Sequence, residues 1–155
     1  MKREVELSNN SKFVDINEAK LSEFIQCLDD NLETSLLAPK GDLSIAVFDE
    51  EMISKLHADF LNDPSDTDVI TFDGDDFDFA GEICVNAQRA LKLASQFNHS
   101  PSKELSLYIA HGYLHLAGID DIAPEDALIM RASEKKALDC LEKFNLCEIF
   151  DFKKD

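Results

Sequence analysis

Apolar positions along this chain change their spacing repeatedly, and each change marks an element. Residues 3–8, REVELS, alternate polar and apolar in the manner of a half-buried strand. Leu21, Phe24, Ile25 and Leu28 then recur at the helical period, with Asp15 or Asn17 placed to cap that helix and Asn31–Thr34 to end it. After the turn signal Pro39-Lys40-Gly41, the run LSIAVF at Leu43–Phe48 reads as a strand. Asp49 stands as N-cap before a helix that puts Met52, Ile53, Leu56 and Phe60 on one face. A polar loop with a proline follows at residues 62–68. Val69–Phe72 and Phe79–Val85 read as strands that pair as a hairpin across the acidic tract Asp73–Asp78, taken as an exposed turn. Three helices come next. One runs from Asn86 to about Phe97, one is opened by Pro101, and one spans roughly 124–144 with Leu128, Ile129, Ala132, Leu138 and Leu141 as its apolar stripe. The final DFKKD reads as a loose tail. This pattern predicts an α+β fold: a small mixed sheet of about four strands flanked by helices.

At 155 residues the chain is long enough to bury a proper core and reads as a single domain over 1–155. Its 45% hydrophobic and 30% charged residues argue against a disordered chain. No stretch approaches the roughly 20 apolar residues of a membrane span. MKREVELSNN lacks the apolar segment of a secretory signal, so the expected location is cytoplasmic. Cys27, Cys84, Cys140 and Cys147 show no C-x-x-C pairing and read as buried or inert thiols. The net charge of −17, from 15 Lys+Arg against 32 Asp+Glu, repels polyanions at long range. Any work on nucleic acid therefore requires a local basic patch, a bound cation or a partner that delivers the substrate.

The richest stretch chemically is residues 104–121, ELSLYIAHGYLHLAGIDD. His111 and His115 stand four apart on an apolar helix, which places them on one face. Two imidazoles so placed converge on one ion at about 2.0–2.1 Å each. Gly118 breaks the helix and lets Asp121 return to the same point. The result is H-x-x-x-H-x-x-G-x-x-D, an open site of three protein ligands that shares the geometry of the zincin signature. Zinc suits these donors best; nickel, cobalt and manganese also accept them. A metallopeptidase carries a glutamate general base directly after the first histidine. Gly112 occupies that position and accepts no proton, so peptidase chemistry loses its central residue. His57 and His99 stand alone and read as structural or surface residues.

The segment His111-Gly112-Tyr113-Leu114-His115-Leu116-Ala117-Gly118-Ile119-Asp120 resembles the H-G-x-L-H-L-x-G-x-D motif of the YbeY family of bacterial rRNA maturation factors. Thr67-Asp68-Val69-Ile70-Thr71-Phe72 is similar to that family's T-[DN]-V-L-S-F block, and Gly81-Glu82-Ile83 to its G-D-[IL] strand. Order and spacing agree from about residue 43 to 145.

The resemblance implies a zinc-dependent, single-strand-specific endoribonuclease with one Zn2+ per chain. It also implies a role in 16S rRNA 3′-end maturation and ribosome quality control. The implied partners are pre-16S rRNA, proteins of the small ribosomal subunit and an Era-type assembly GTPase. His111 and His115 match the family's first two histidine ligands, while Asp121 occupies the place of the third. Asp120 matches the aspartate before it, a residue that orients a ligand or serves as a base. The family's arginine before the T-D-V block falls here on Leu61. Arg89, Lys92, Lys103 and Arg131 are the candidates to meet phosphate in its stead, against a plainer reading as solvated helix charges. The alternative function is a ribosome-assembly factor with a structural metal and no independent nuclease activity.

Overall fold

The computed structural model describes residues 2–61 and 67–153. The elements are β1 (Val5–Asn9), β2 (Val14–Ile16), α1 (Glu18–Asn31), β3 (Asp42–Phe48), α2 (Glu50–Leu61), β4 (Val69–Asp76), β5 (Phe79–Asn86), α3 (Ala87–Leu93), α4 (Pro101–Leu116), α5 (Pro124–Lys143) and β6 (Phe150–Phe152). The main sheet has the order β1-β3-β5-β4. Its β1–β3 and β3–β5 pairs are parallel, and the β4–β5 hairpin is antiparallel. The mixed four-stranded sheet of an α+β fold is therefore present.

The central strands are the apolar ones because they are covered. In β3, Leu43, Ile45, Ala46 and Val47 are buried; in β5, Ile83, Cys84 and Val85 are buried. Leu105, Ile109, Tyr113 and Leu116 of α4 join Leu43, Ile45, Ile83 and Val85 in the main core. Each fully buried aliphatic side chain of this kind contributes about 1.5–3 kcal/mol. Gly112 lets α4 lie close to the sheet: a Cβ there would stand 2.5 Å from Ile83 Cγ2 and 3.1 Å from Val69 Cγ2.

Several local expectations are corrected. Strand β4 continues into the acidic tract as far as Asp76, with a register irregularity between Asp73 and Asp76, so that tract is partly paired rather than a turn. The helix expected from Asn86 to Phe97 is α3, capped by Asn86, and gives way to a 3-10 turn at Ala94–Phe97. The supposed tail begins with β6, which pairs antiparallel with β2, Phe152 opposite Val14. Asp49 stands at the N-cap position of α2, its carbonyl accepting from the Ile53 amide at 3.1 Å, while its carboxylate accepts from Ser11 Oγ at 2.6 Å and the Lys12 amide at 2.9 Å, tying down the β1–β2 connection. Most of the polar loop read over 62–68 lies outside the described residues.

Helix α5 shows the largest error of phase. Leu128 and Ile129 are 72% and 53% exposed, whereas Met130, Ser133, Glu134, Ala137 and Leu141 face inward. The helix packs against α1 and α4. Ser133 and Ala137, on its inner face, are small and read as neutral in the hydrophobic pattern. Within the core, the Sγ atoms of Cys27 and Cys140 lie 3.4 Å apart as free thiols. Burial, together with the hydrogen bond and charge of Cys140, pushes the Cys27 thiol up to about 12, so it is inert as a nucleophile. Among the described residues, no helix is long and apolar enough to cross a membrane.

Candidate metal centre

Helix α4 is built to end where it does. Ser100 caps it by accepting from the Lys103 amide, and Pro101 occupies its first turn. At the other end Gly118 takes φ +97°, its amide donates to the His115 carbonyl at 3.0 Å, and the Ile119 amide donates to Leu114 at 3.0 Å. This pair of bonds is the Schellman C-terminal motif, and Leu114 and Ile119 pack together as its apolar contact. The turn has a chemical consequence: it aims the Ile119 carbonyl back at His115, whose Nδ1 lies 3.0 Å away and donates to it.

His111 is fixed differently. Its Nδ1 lies 2.5 Å from Glu134 Oε2 of α5. With both Nδ1 atoms engaged as donors, each neutral ring has its lone pair on Nε2. They face the same carboxylate: Asp121 Oδ2 is 3.4 Å from His111 Nε2 and 3.7 Å from His115 Nε2. The ligand atoms of His111, His115 and Asp121 all lie within 4.8 Å of one another. Ligands about 2.0–2.1 Å from a tetrahedral ion stand about 3.3–3.4 Å apart, close to the two histidine–aspartate separations, so the donor set suits a cation. The His111 side chain is 14% exposed and that of Asp121 38%, which leaves the site open on the Asp121 side.

Burial alone would push the His111 pKa down. The hydrogen bond and charge of Glu134, aided by Asp68 and Asp121, outweigh it and raise the pKa above the usual value. Asp120 is exposed, and its Oδ1 accepts from the Asp121 amide at 2.8 Å. Among the described residues it bonds neither histidine ring. It holds the backbone that carries Asp121.

Two cavities flank the triad. One, of about 530 Å³, is lined by His111, Asp121 and Glu134 together with Arg89, Arg131 and Phe97. His99, Glu104 and Tyr108 line the same cavity. Among the described residues, Glu104 Oε1 and Tyr108 Oη are buried there without a hydrogen-bond partner, with His99 Nε2 3.9 Å from Glu104 Oε1. The cavity is polar and roomy enough for water to reach such groups. On the other side, a cavity of about 540 Å³ is bordered by His115 and includes Lys40, Asp73, Asp76 and Phe77. The four cations proposed from sequence therefore separate. Arg89 and Arg131 border the first cavity, while Lys92 pairs with Glu50 at 2.6 Å and Lys103 with Glu142 at 2.5 Å. Leu61 sits exposed at the end of α2.

Glu134 is the residue that sequence reasoning missed. A carboxylate is hidden in plain view on a helix whose apolar stripe is misphased. Reading Met130, Ser133, Ala137 and Leu141 as the inner face would have placed Glu134 on that face as well. Gly112, where a peptidase has its base, faces the sheet and not the cavity.

Comparison with known proteins agrees over most of the chain. Residues 6–142 match the family model described as Endoribonuclease YbeY. The chain is 32% identical over 140 residues to the Endoribonuclease YbeY of Finegoldia magna, covering 86% of this chain and 91% of that protein. It is 38% identical over 110 residues to that of Protochlamydia amoebophila, covering 68% and 73% respectively. The solution structure of TM1509 from Thermotoga maritima superposes with a TM-score of 0.63 at 24% identity over 91% of both chains, a likeness of fold. With its family model matched from β1 to the end of α5 and the paired histidines in place on α4, this chain belongs to the Endoribonuclease YbeY family.

Proposed function

We propose that this protein is a zinc-dependent, single-strand-specific endoribonuclease that acts in the cytoplasm on the 3′ end of 16S rRNA and in ribosome quality control. The observation that carries this reading is the convergence of His111 Nε2 and His115 Nε2 on the Asp121 carboxylate, with both Nδ1 atoms already held. Membership of a family named for endoribonuclease activity supplies the substrate class.

In this reading His111, His115 and Asp121 hold one Zn2+. The bound cation supplies Lewis acidity toward a phosphoryl oxygen. The remaining work belongs to the chain. Glu134 keeps the proton on His111 Nδ1 and makes that ring a stronger ligand, a carboxylate–histidine arrangement that orients the donor. The Ile119 carbonyl does the same for His115. Asp120 positions Asp121 through its amide. Asp121 brings one more negative charge than a third histidine would, and its hard oxygen extends tolerance toward manganese. With 32 acidic against 15 basic residues, delivery of the RNA by the pre-ribosome or an assembly GTPase fits the charge balance.

The test is cleavage of a single-stranded RNA carrying the 16S 3′ end, beside the same strand annealed to its complement. Purified protein, its His115→Ala variant and a chelator-treated sample are run together. Cutting of the single strand by the wild type alone, restored to the chelated sample by zinc, supports the reading. Equal background in all samples would overturn it in favour of an assembly factor whose metal is structural.

A further inference from the structure

The first cavity contains more than the triad needs. Arg89 is half-buried along its wall, and among the described residues it forms no ion pair. Arg131 reaches the same cavity from α5 with 73% of its side chain exposed, its Nη1 3.4 Å from Glu134 Oε1. Phe97, at the end of the 3-10 turn, is 56% exposed and lines the cavity too. In the cavity that takes in His111 and Asp121 of the triad, the guanidinium groups of Arg89 and Arg131 stand among the carboxylates of Asp68, Glu104, Asp121 and Glu134, so with a divalent cation bound the lining is formally neutral and the guanidinium donors can take an anion. Guanidinium groups take phosphate through paired N–H donors. An exposed aromatic face beside them takes a base without regard to its identity, and an unpaired strand offers its bases for stacking.

We propose that Arg89 and Arg131 form a phosphate subsite and Phe97 a stacking platform, so that one nucleotide of a single-stranded RNA, adjoining the phosphate at the triad, occupies this cavity. The inference rests on the ribonuclease reading for its ligand, but its residues are separate from the triad.

The experiment is equilibrium binding of a fluorescein-labelled single-stranded decaribonucleotide, followed by anisotropy over a series of salt concentrations. Zinc is present, and the strand carries 2′-O-methyl groups that block attack by the 2′-oxygen, its intactness checked on a gel after each titration. Arg131→Ala and Arg89→Gln should each weaken binding roughly tenfold and flatten the logarithmic salt dependence by about 0.7 for each phosphate interaction removed. Phe97→Ala should weaken binding roughly tenfold with the salt slope unchanged, and Phe97→Trp should restore it. Lys20→Ala, which removes a charge from α1, should leave both quantities as in the wild type.

Wild-type protein that does not bind the strand would overturn the subsite, as would unchanged binding in Arg131→Ala and Phe97→Ala. Both residues are exposed, so those two variants decide the matter if Arg89→Gln unfolds because Arg89 only offsets the charge of Glu104 and Asp68. Cleavage of RNA that is indifferent to all three substitutions keeps the nuclease and removes the subsite. Binding with the expected dependences but no cleavage under any metal keeps the subsite and removes the nuclease.

Discussion

Helix α4 carries two tyrosines beside buried acids, and the two neighbourhoods are opposite in kind. Tyr113 donates to Asp29 Oδ1 at 2.6 Å, and Asp29 in turn forms a bidentate pair with Arg3 at 2.8 and 3.0 Å. Arg3 spends its remaining donors on the carbonyls of Pro39 and Gly41, each at 2.6 Å, and of Ala38 at 3.5 Å. The side chains of Arg3 and Asp29 are 1% and 2% exposed. Every charge there is matched, and nothing is left for a ligand.

On the other side, among the described residues, Glu104 Oε1 and Tyr108 Oη have no hydrogen-bond partner, and His111 Nε2 and Asp121 Oδ2 stand 3.4 Å apart at the open end of the site. An unsatisfied buried polar group is costly, so a protein keeps such groups where something else completes them. The closed network stabilises the fold and the open one is available for chemistry. Both are buried polar clusters, and only satisfaction tells them apart.

The sharpest way to separate the two is Asp29→Ala. It strands the Arg3 guanidinium in the core and should cost about 3–5 kcal/mol in a urea melt. Zinc affinity of the protein that remains folded should be unchanged; a parallel loss of affinity would dissolve the distinction. Glu134→Gln is the counterpart on the open side. It should weaken zinc binding about 10–100-fold, measured by competition with a chelating dye, with little change in the melt. Undiminished affinity there would reduce Glu134 to packing.

Gly112→Ala probes the surface that holds the open cluster against the sheet. The added methyl meets Ile83 Cγ2 at 2.5 Å and should cost about 1–3 kcal/mol in thermal or urea unfolding. A neutral result would mean that α4 can lift from the sheet freely, and with it the triad.

The smallest effect is a pH dependence. The pKa of His111 is raised in the folded state despite its burial, because Glu134, Asp68 and Asp121 favour the charged ring. In the ion-free protein this contributes stability that is fully present below about pH 6.5 and is lost as pH rises through the higher folded value. Zinc binding needs the neutral ring, so affinity rises across the same window by at most about tenfold per pH unit. Titrations of stability and of affinity should therefore slope in opposite directions there, and Glu134→Gln should flatten both. Stability of the ion-free protein that rises with pH in that window would contradict the assignment.

Much of this was legible in the chain. The alternation and runs of apolar residues located the four strands of the main sheet because those strands are either half-buried or covered on both faces. Pro101 and Gly118 bracketed the histidine helix through backbone chemistry that is local and therefore visible. The i,i+4 spacing put His111 and His115 on one face, and the glycine turn made the return of Asp121 foreseeable.

What stayed hidden depends on contacts between distant segments. Glu134 meets His111 across 23 positions, on a helix whose inner face interrupts its apolar residues with Ser133 and Ala137. Arg3, near the N-terminus, is paired with Asp29 only because β1 and α1 bring them together. The short β2–β6 pair joins residues from opposite ends of the chain. None of these leaves a periodic signature.

The central claim is that His111, His115 and Asp121 hold one cation together. Zinc titration calorimetry on the protein stripped of metal, with elemental analysis of the loaded product, tests it most directly. One ion per chain in the wild type, and none retained after desalting by His111→Ala, His115→Ala or Asp121→Ala variants that keep the wild-type circular dichroism, is the expected result. Stoichiometric zinc binding that survives in both His115→Ala and Asp121→Ala would place the ion elsewhere and contradict the account.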